Sequence, residues 1–331
     1  MTPTEGSKFP FEVLIIGGGP SGLAAGLTLG RVQRRTLILD MGRYRNEQAV
    51  AMQTVPTNDG KTPTAYLEDA RREIAAYPTV QVRVGPDNEV VSLERVAQRD
   101  EVRGTHVDRF IAKDTAGNTY VAYKVLMATG VADLLPNIDG FAELWGSRIF
   151  DCIYCHGYEC RGPRLAILGD DEAAKTMSLL AASLFPDRAL LTNGGLVAKE
   201  EEERLGRFRV TIDHREVLAV TGTNTDEERS GVRVTFRQGE AMTVDAVLHV
   251  APTLPNSAAL ATQLGVGFDD GGNLATELGG RTSVRSLFVA GDASQQFKSV
   301  TSAVFTGNAA ATLIHHELTM QWPEEEQTGG S

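Results

Sequence analysis

A glycine-rich loop that directly follows a short apolar run limits the folds open to this chain. Residues 11–16 read FEVLII, and the loop behind them consists of Gly17, Gly18, Gly19, Pro20, Ser21 and Gly22. A helical stretch, residues 23–31, and a second apolar strand, residues 36–39, lead to Asp40. A strand, a GxGxxG loop, a helix, a strand and an acid about 20 residues beyond the glycines form a dinucleotide-binding fingerprint. The pattern predicts an α/β fold with a Rossmann-like, three-layer domain.

Each part of this fingerprint has a chemical reason. Gly17 makes the tight turn, Gly19 lets the backbone approach a pyrophosphate, and Gly22 lets the helix pack closely on the strand. The helix N-terminus offers unpaired N–H groups and a positive dipole end to the phosphates, and Asp40 can accept hydrogen bonds from a ribose. The alternative is a glycine-rich turn without a ligand. The loop by itself does not distinguish FAD from NAD.

Two later segments resemble those of flavoprotein disulfide reductases, because each is a strand that ends in a short glycine-containing turn. The residues concerned are Ala128, Thr129 and Gly130 in the first segment and Gly291 and Asp292 in the second. The resemblance implies that the dinucleotide is FAD and that Asp292 binds its ribityl chain.

The last helix is predicted over residues 301–318, and Lys298, Ser299 and Val300 lead into it. In the same resemblance, the positive end of this helix faces the pyrimidine edge of the flavin. A positive potential there would stabilise the anionic reduced form of the flavin.

The two halves of this flavin site stand at opposite ends of the sequence, so the middle of the chain must form an inserted domain. We predict a discontinuous FAD-binding domain, residues 1–136 and 250–331, and an insertion, residues 137–249. Within the insertion, a strand at residues 164–168, a loop, a helix to about residue 184 and a strand at residues 189–192 repeat the Rossmann-like start.

The second loop has the wrong residues for NADPH. Asp171 stands where a working phosphate loop has its middle glycine, and Asp170 and Glu172 flank it. No basic residue that could bind a 2′-phosphate follows the second strand before Lys199. The three acids also suit a helix N-terminus, which is the structural alternative. We therefore expect a retained fold and a lost nucleotide site.

The chain has only three cysteines, Cys152, Cys155 and Cys160, in one short segment. They cannot form the disulfide framework of a small secreted protein, and a zinc site would usually need a second ligand pair. We interpret Cys152 and Cys155 as a redox-active CxxC pair rather than as two incidental thiols. Cys160 is expected to be structural, and no metal is expected. His156 could take protons from incoming thiols, or it could be a packing residue.

Over nearly its whole length the chain resembles the thioredoxin-reductase-like flavoproteins. Within them it is most similar to the FAD-dependent dithiol oxidases of natural-product pathways, of the gliotoxin and holomycin type. The resemblance rests on the DMGRYRN run at residues 40–46, on the ATGV run at residues 128–131 and on the CxxC motif with the HGYE run behind it.

This resemblance implies that the protein is a homodimer that binds FAD and has Arg45, Asn46 and Gln53 near the cofactor. It also implies that a small-molecule dithiol is oxidised to a disulfide while O2 is reduced to H2O2. A substrate thiolate would attack Cys152, and Cys155 would be the cysteine nearer the flavin. Thioredoxin reductases usually have an acid at the position of His156, so the histidine departs from that pattern.

The composition argues against some classes of partner. A formal net charge of −11 argues against nucleic acids and anionic membranes, because both are polyanions. No apolar run approaches the roughly 18–20 residues that span a bilayer, and residues 1–10 lack the apolar core of a signal peptide. We expect a soluble, cytoplasmic protein.

Other functions stay open at the level of sequence. They are an NADPH-dependent reductase of thioredoxin or another disulfide, a ferredoxin-dependent reductase, and a non-catalytic flavin sensor. The sequence does not identify the dithiol. Phe141 and Trp145 could border the substrate, or they could belong to the core or to a dimer contact.

Overall fold

The computed structural model describes residues 11–100, 105–223 and 231–321, with the side chains of residues 97–100, 105–107 and 321 excepted. The strands are β1 (Phe11–Ile16), β2 (Thr36–Asp40), β3 (Val80–Val84), β4 (Val90–Asp100), β5 (Thr105–Asp114), β6 (Thr119–Met127), β7 (Val131–Asp133), β8 (Ile149–Phe150), β9 (Arg164–Leu168), β10 (Asp187–Leu191), β11 (Val210–Asp213), β12 (Val217–Thr223), β13 (Gly231–Phe236), β14 (Met242–Val244), β15 (Ala246–Leu248), β16 (Thr253–Pro255) and β17 (Leu287–Val289). The helices are α1 (Pro20–Arg31), α2 (Pro63–Ile74), α3 (Phe141–Leu144), α4 (Ile153–Cys160), α5 (Glu172–Leu180), α6 (Lys199–Arg207), α7 (Ala258–Gln263) and α8 (Val300–Gln321).

The chain divides into two compact units. The described part of the first unit comprises residues 11–47, 64–100, 105–132 and 253–321, and that of the second comprises residues 48–63, 133–223 and 231–252. The sequence-based division assigned residues 48–63 to the first domain, whereas they group with the second unit. One close contact within the second unit joins this segment to it: a Cβ on Gly146 would lie 3.1 Å from Cβ of Gln48.

The first unit contains a sheet with strand order β3-β2-β1-β6-β5-β4, and β17 pairs with β6. Strands β1, β2, β3, β6 and β17 run parallel, while β4 and β5 continue the sheet in antiparallel fashion. Strand β1 is apolar at nearly every position because both of its faces are covered: Leu14 and Ile16 belong to one core, and Val13 and Ile15 to another.

Helices α1 and α8 cover the second of these cores. They approach closely at a glycine, because a Cβ on Gly307 would lie only 2.2 Å from the carbonyl oxygen of Ser21. Helix α1 begins at Pro20, three residues earlier than predicted, since proline is pre-organised for the first helical position. Helix α8 extends from Val300 to Gln321, beyond the predicted range at both ends.

The second unit has a parallel sheet in the order β11-β10-β9-β15-β8 and an antiparallel sheet in the order β12-β13-β14. One core lies between these two sheets, and another lies between the parallel sheet and helices α4, α5 and α6. Helix α5 ends at Leu180 and gives way to a 3-10 turn, Ala181–Ser183, so the predicted helix is interrupted before residue 184.

In each unit, a strand of the parallel sheet is followed by a glycine-containing loop and a helix. The predicted α/β class is therefore confirmed. Within residues 11–100, 105–223 and 231–321, no helix has the length and apolar character needed to cross a membrane.

Candidate active site

The glycine loop of the first unit is packed on one side and open on the other. Gly17 has φ of 103°, and a Cβ there would lie 2.3 Å from the carbonyl oxygen of Ala128. A Cβ on Gly22 would lie 1.9 Å from the carbonyl oxygen of Gly17. By contrast, a Cβ on Gly19 would meet nothing within 4 Å. Gly17 and Gly22 are therefore required by the protein's own packing, whereas Gly19 faces space that a ligand could use.

The start of α1 has unsatisfied polar groups. Gly19 is the N-cap residue and provides no side-chain cap, and Pro20 occupies the first helical turn. The hydroxyl Oγ of Ser21 is buried and has no hydrogen-bond partner. Because the first N–H groups of a helix also lack intrahelical partners, this end of α1 suits an anion such as a pyrophosphate.

Asp40, at the end of β2, is held beside the loop by three donors. Its carboxylate accepts hydrogen bonds from the Tyr44 hydroxyl at 2.6 Å and from the Gly42 N–H at 3.1 Å, and Nη2 of Arg71 lies 3.4 Å away. A Cβ on Gly18 would lie 2.5 Å from Oδ2 of Asp40. Burial, together with the Asp40 carboxylate, raises the pKa of Tyr44, so the phenol remains a donor.

Residues 128–130 form a turn directly beside β1. The Ala128 N–H donates to the carbonyl oxygen of Ile16 at 2.8 Å. Asn256 holds the turn from the other side, since its Nδ2 donates to the Thr129 carbonyl at 2.8 Å and its N–H donates to the Gly130 carbonyl at 3.1 Å. Asn256 and the Ser257 hydroxyl, 2.8 Å from Thr129 Oγ1, were not identified from the sequence.

Gly291 and Asp292 lie against the glycine loop although they are far from it in sequence. Gly291 has φ of 77°, and a Cβ there would lie 3.0 Å from Cβ of Ser21. Nη1 of Arg45 lies 3.6 Å from Oδ2 of Asp292. Three distant segments thus meet at the start of α1, as a shared dinucleotide site requires.

Asn46 and Gln53 are both half-buried. Asn46 follows Arg45 directly, whereas Gln53 lies in residues 48–63 of the second unit. Their assignment to the cofactor stays a prediction.

The chain enters α8 through Lys298 and Ser299, and the helix begins at Val300. The Ser299 hydroxyl caps the helix by accepting a hydrogen bond from the Ser302 N–H at 3.0 Å, and Val300 is the first helical residue. Nζ of Lys298 donates to Oδ1 of Asn273 at 3.0 Å and to the carbonyl oxygen of Gln295 at 2.9 Å. The ammonium is therefore fixed in place near the positive end of α8.

Cys152 and Cys155 form a disulfide at the start of α4, with their Cα atoms 5.2 Å apart. Cys152 is the N-cap residue, and its Sγ accepts a hydrogen bond from the Cys155 N–H at 3.1 Å. Both cysteines are half-buried. On reduction, a thiolate at Cys152 would be stabilised by this N–H group and by the helix dipole.

His156 packs with its ring against Phe150, with ring centroids 5.8 Å apart and planes at 19°. Both ring nitrogens are buried and have no hydrogen-bond partner. Burial lowers the pKa of His156, and the carboxylates of Asp151 and Glu159 oppose that shift. The neutral imidazole is therefore favoured near neutral pH, and it can accept a proton.

Cys160 differs from the other two cysteines. It is buried, its thiol donates to the Ser147 carbonyl oxygen at 3.4 Å, and burial raises its pKa. A thiolate is thus disfavoured at Cys160.

Phe141 is 1% exposed and belongs to the core between the two sheets, and Trp145 packs against that core. In the part of the chain that the structure describes, no cluster of three or more His, Cys, Asp and Glu residues could hold a metal ion.

In the loop after β9, the carboxylates of Asp170 and Asp171 contact the loop's own surroundings. Asp171 caps α5 by accepting a hydrogen bond from the Ala174 N–H at 2.8 Å. The Asp170 carboxylate packs on Gly195, since a Cβ there would lie 2.2 Å from Oδ2 of Asp170. In the first unit, the loop residue Gly19 faces open space instead.

Several known proteins are similar to this chain. A family model for pyridine nucleotide-disulphide oxidoreductases matches residues 11–307. Thioredoxin reductase tcpT of Claviceps purpurea is 31% identical over 317 residues, which cover 93% of this chain and 94% of that protein. Thioredoxin reductase sirT of Leptosphaeria maculans is 31% identical over 319 residues, with coverage of 93% and 94%. The crystal structure of HlmI is similar with a TM-score of 0.85 and 30% identity, and covers 96% of this chain and 94% of that chain.

Proposed function

Because the chain belongs to the pyridine nucleotide-disulphide oxidoreductase family, we propose a specific form of that chemistry for it. The protein is an FAD-dependent disulfide oxidoreductase. We propose that it oxidises a small-molecule dithiol to a disulfide and passes the electrons to O2, which becomes H2O2. FAD, when bound, accepts two electrons from the cysteine pair and delivers them to O2.

One observation carries this proposal: the carboxylates of Asp170 and Asp171 occupy the second nucleotide loop. Asp171 already uses its carboxylate to cap α5, and Asp170 packs on Gly195, where a nucleotide would need room. Two carboxylates at this position would also repel a pyrophosphate. These contacts support a route in which the electrons enter through Cys152 and Cys155 and not from NADPH.

The exchange at the disulfide proceeds in two steps. A substrate thiolate attacks Sγ of Cys152, so a mixed disulfide forms, the Cys152–Cys155 bond breaks and Cys155 leaves as a thiolate. The second substrate thiolate then attacks the substrate sulfur of the mixed disulfide, which forms the cyclic product and expels Cys152 as a thiolate. The substrate loses two electrons and two protons, and the enzyme holds the electrons as a dithiol. Because the Cys155 N–H contacts Cys152 Sγ, the second leaving group is stabilised.

Two protons leave the substrate thiols, and Cys155 and Cys152 take them up after each has left as a thiolate. His156, the residue after Cys155, can carry one proton at a time between these thiols. Its imidazole is neutral near neutral pH and has no competing hydrogen bond. The overall reaction is balanced: a dithiol and O2 yield a disulfide and H2O2. FAD would be held by the open side of the loop at Gly19, by the Ser21 hydroxyl and by the carboxylates of Asp40 and Asp292.

The test is an anaerobic titration of the purified holoprotein, followed by the visible absorbance of oxidised flavin. Dithiothreitol should bleach the flavin, NADPH should not, and readmission of air should produce one H2O2 for each disulfide formed. Cys155→Ser should abolish reduction by dithiothreitol. Cys160→Ser, a matched change of a buried cysteine in the same helix, should leave the rate within about twofold.

A reductase is the alternative that one specific observation favours, since tcpT and sirT are both named thioredoxin reductases. Rapid bleaching of the flavin by NADPH would establish that function and reject the oxidase.

We also propose that the protein is a homodimer. Light scattering coupled to size-exclusion chromatography measures its mass directly, and a monomeric mass would reject the dimer without affecting the proposed reaction.

A further inference from the structure

The exposed face of α4 holds two tyrosines beside the disulfide. Tyr154 and Tyr158 are each 63% exposed, although both are large aromatic residues. They are four residues apart, so they lie on one side of the helix. Successive residues of a helix are rotated by about 100° around its axis, so both tyrosines lie within about 100° of Cys155. The buried residues Ile153 and Gly157 lie on the side of the helix opposite Cys155.

Arg161 orders one of these rings. Its guanidinium carbon lies 4.0 Å from the centroid of the Tyr158 ring, and its Nη1 donates to the Tyr158 carbonyl oxygen at 2.5 Å. A cation over one face of the ring fixes its orientation and leaves other parts of the ring for a second partner. The Tyr158 ring is therefore held in place on the same side of α4 as Tyr154.

We infer that Tyr154 and Tyr158 bind the body of the substrate and that they select dithiols carried on an aromatic ring over aliphatic dithiols. This inference rests on the proposed function. A substrate thiol must reach Sγ of Cys152, so the atoms that carry the thiols must lie within a few ångströms of the start of α4. Tyr154 stands between the two cysteines in sequence, and Tyr158 lies about one helical turn further along α4. Aromatic rings prefer to stack on other rings.

The size of the surface favours a small ring system over a protein. Two tyrosines that are 63% exposed offer roughly 200–300 Å², whereas a stable protein interface needs about 800 Å² from each partner. The next exposed residues along the helix, Glu159 and Arg161, are charged. Along α4 the apolar surface thus ends after two rings, which fits a compact ligand.

The experiment compares two small dithiols that close disulfides of equal ring size, the aromatic 1,2-benzenedimethanethiol and the aliphatic dithiothreitol. The rate of anaerobic flavin reduction against dithiol concentration yields a selectivity ratio for each variant. In the native holoprotein we expect the aromatic dithiol to be preferred. Tyr154→Ala and Tyr158→Ala should each lower the ratio about two- to tenfold, because each removes one ring contact.

Two control variants separate recognition from structural damage. Tyr154→Phe/Tyr158→Phe keeps both rings and should keep the native ratio. Phe208→Ala removes an exposed aromatic residue that lies before β11, at the opposite edge of the parallel sheet, and should also keep it.

Four results would overturn the inference: a native ratio near one, an unchanged ratio in the alanine variants, an equal loss of rate with both dithiols, or a loss confined to reduced thioredoxin as the donor. The last result would assign the surface to protein docking. If neither dithiol reduces the flavin of the native protein, the proposed function itself fails.

Discussion

Gly19 and Gly22 provide a strict test of the cofactor site, because the two glycines lie in one loop and have opposite surroundings. Gly19 has φ of −73° and ψ of −173°, which any residue can adopt, and a Cβ there would meet nothing within 4 Å. A Cβ on Gly22 would lie 1.9 Å from a backbone oxygen. Alanine at Gly19 should therefore affect the ligand, and alanine at Gly22 should affect the fold.

The magnitudes follow from these contacts. Gly19→Ala should cost the apoprotein about 0.5–1 kcal/mol, since alanine is a poorer N-cap residue than glycine. The added methyl would crowd a bound pyrophosphate, and an overpacked contact of about 1–3 kcal/mol weakens FAD binding about 5- to 150-fold. Gly22→Ala should destabilise the apoprotein by more than about 3 kcal/mol, because backbone must move.

The assay pairs two measurements on each variant. Urea unfolding of the apoprotein reports stability, and quenching of flavin fluorescence on titration with FAD reports affinity. Native affinity in Gly19→Ala would refute the assignment of the loop to the pyrophosphate. So would an apoprotein of Gly19→Ala that is as unstable as that of Gly22→Ala.

Three further changes test other parts of the structure. His156→Phe keeps the ring stack and removes the base, so anaerobic flavin reduction by dithiothreitol near neutral pH should fall about 100-fold or more. The native rate should decline in acid only below the usual His pKa of about 6.5, because burial lowers the pKa of His156, and a pH profile of both proteins checks this. Gly195→Ala should cost about 1–3 kcal/mol in urea unfolding and distinctly less in an Asp170→Ala background, since the predicted clash is with that carboxylate. Lys124→Met should cost about 3 kcal/mol, because the fully buried ammonium bonds Glu317 at 2.6 Å.

The pH dependence of that last pair has a definite sign. Burial raises the pKa of Glu317, but Lys124 and Arg281 both donate to its carboxylate and together outweigh that effect, so its pKa lies below the usual value. The ionised Glu317 carboxylate therefore stabilises the fold fully above its pKa in the unfolded chain, which is about 4.3. This stabilisation is lost as the pH falls through the lower pKa that Glu317 has in the folded protein. Lys124→Met should show a shallower loss of stability in that acidic range.

The sequence alone determined the features that depend on neighbouring residues. Strand β1 and strand β9 have the predicted bounds, because a short apolar run between turn residues leaves little choice of structure. The glycine loop and the CxxC pair were recognised for the same reason, since their chemistry depends on spacing along the chain.

Only the tertiary structure decided what the loops contact. Arg71 reaches Asp40 from α2, Asn256 holds the turn at Thr129, and Asp170 packs on Gly195. Each of these contacts joins residues that are distant in sequence, so no local pattern encodes it. The grouping of residues 48–63 with the second unit has the same origin. Local conformational preferences specify the strands and turns, whereas packing between distant segments specifies which side chains meet.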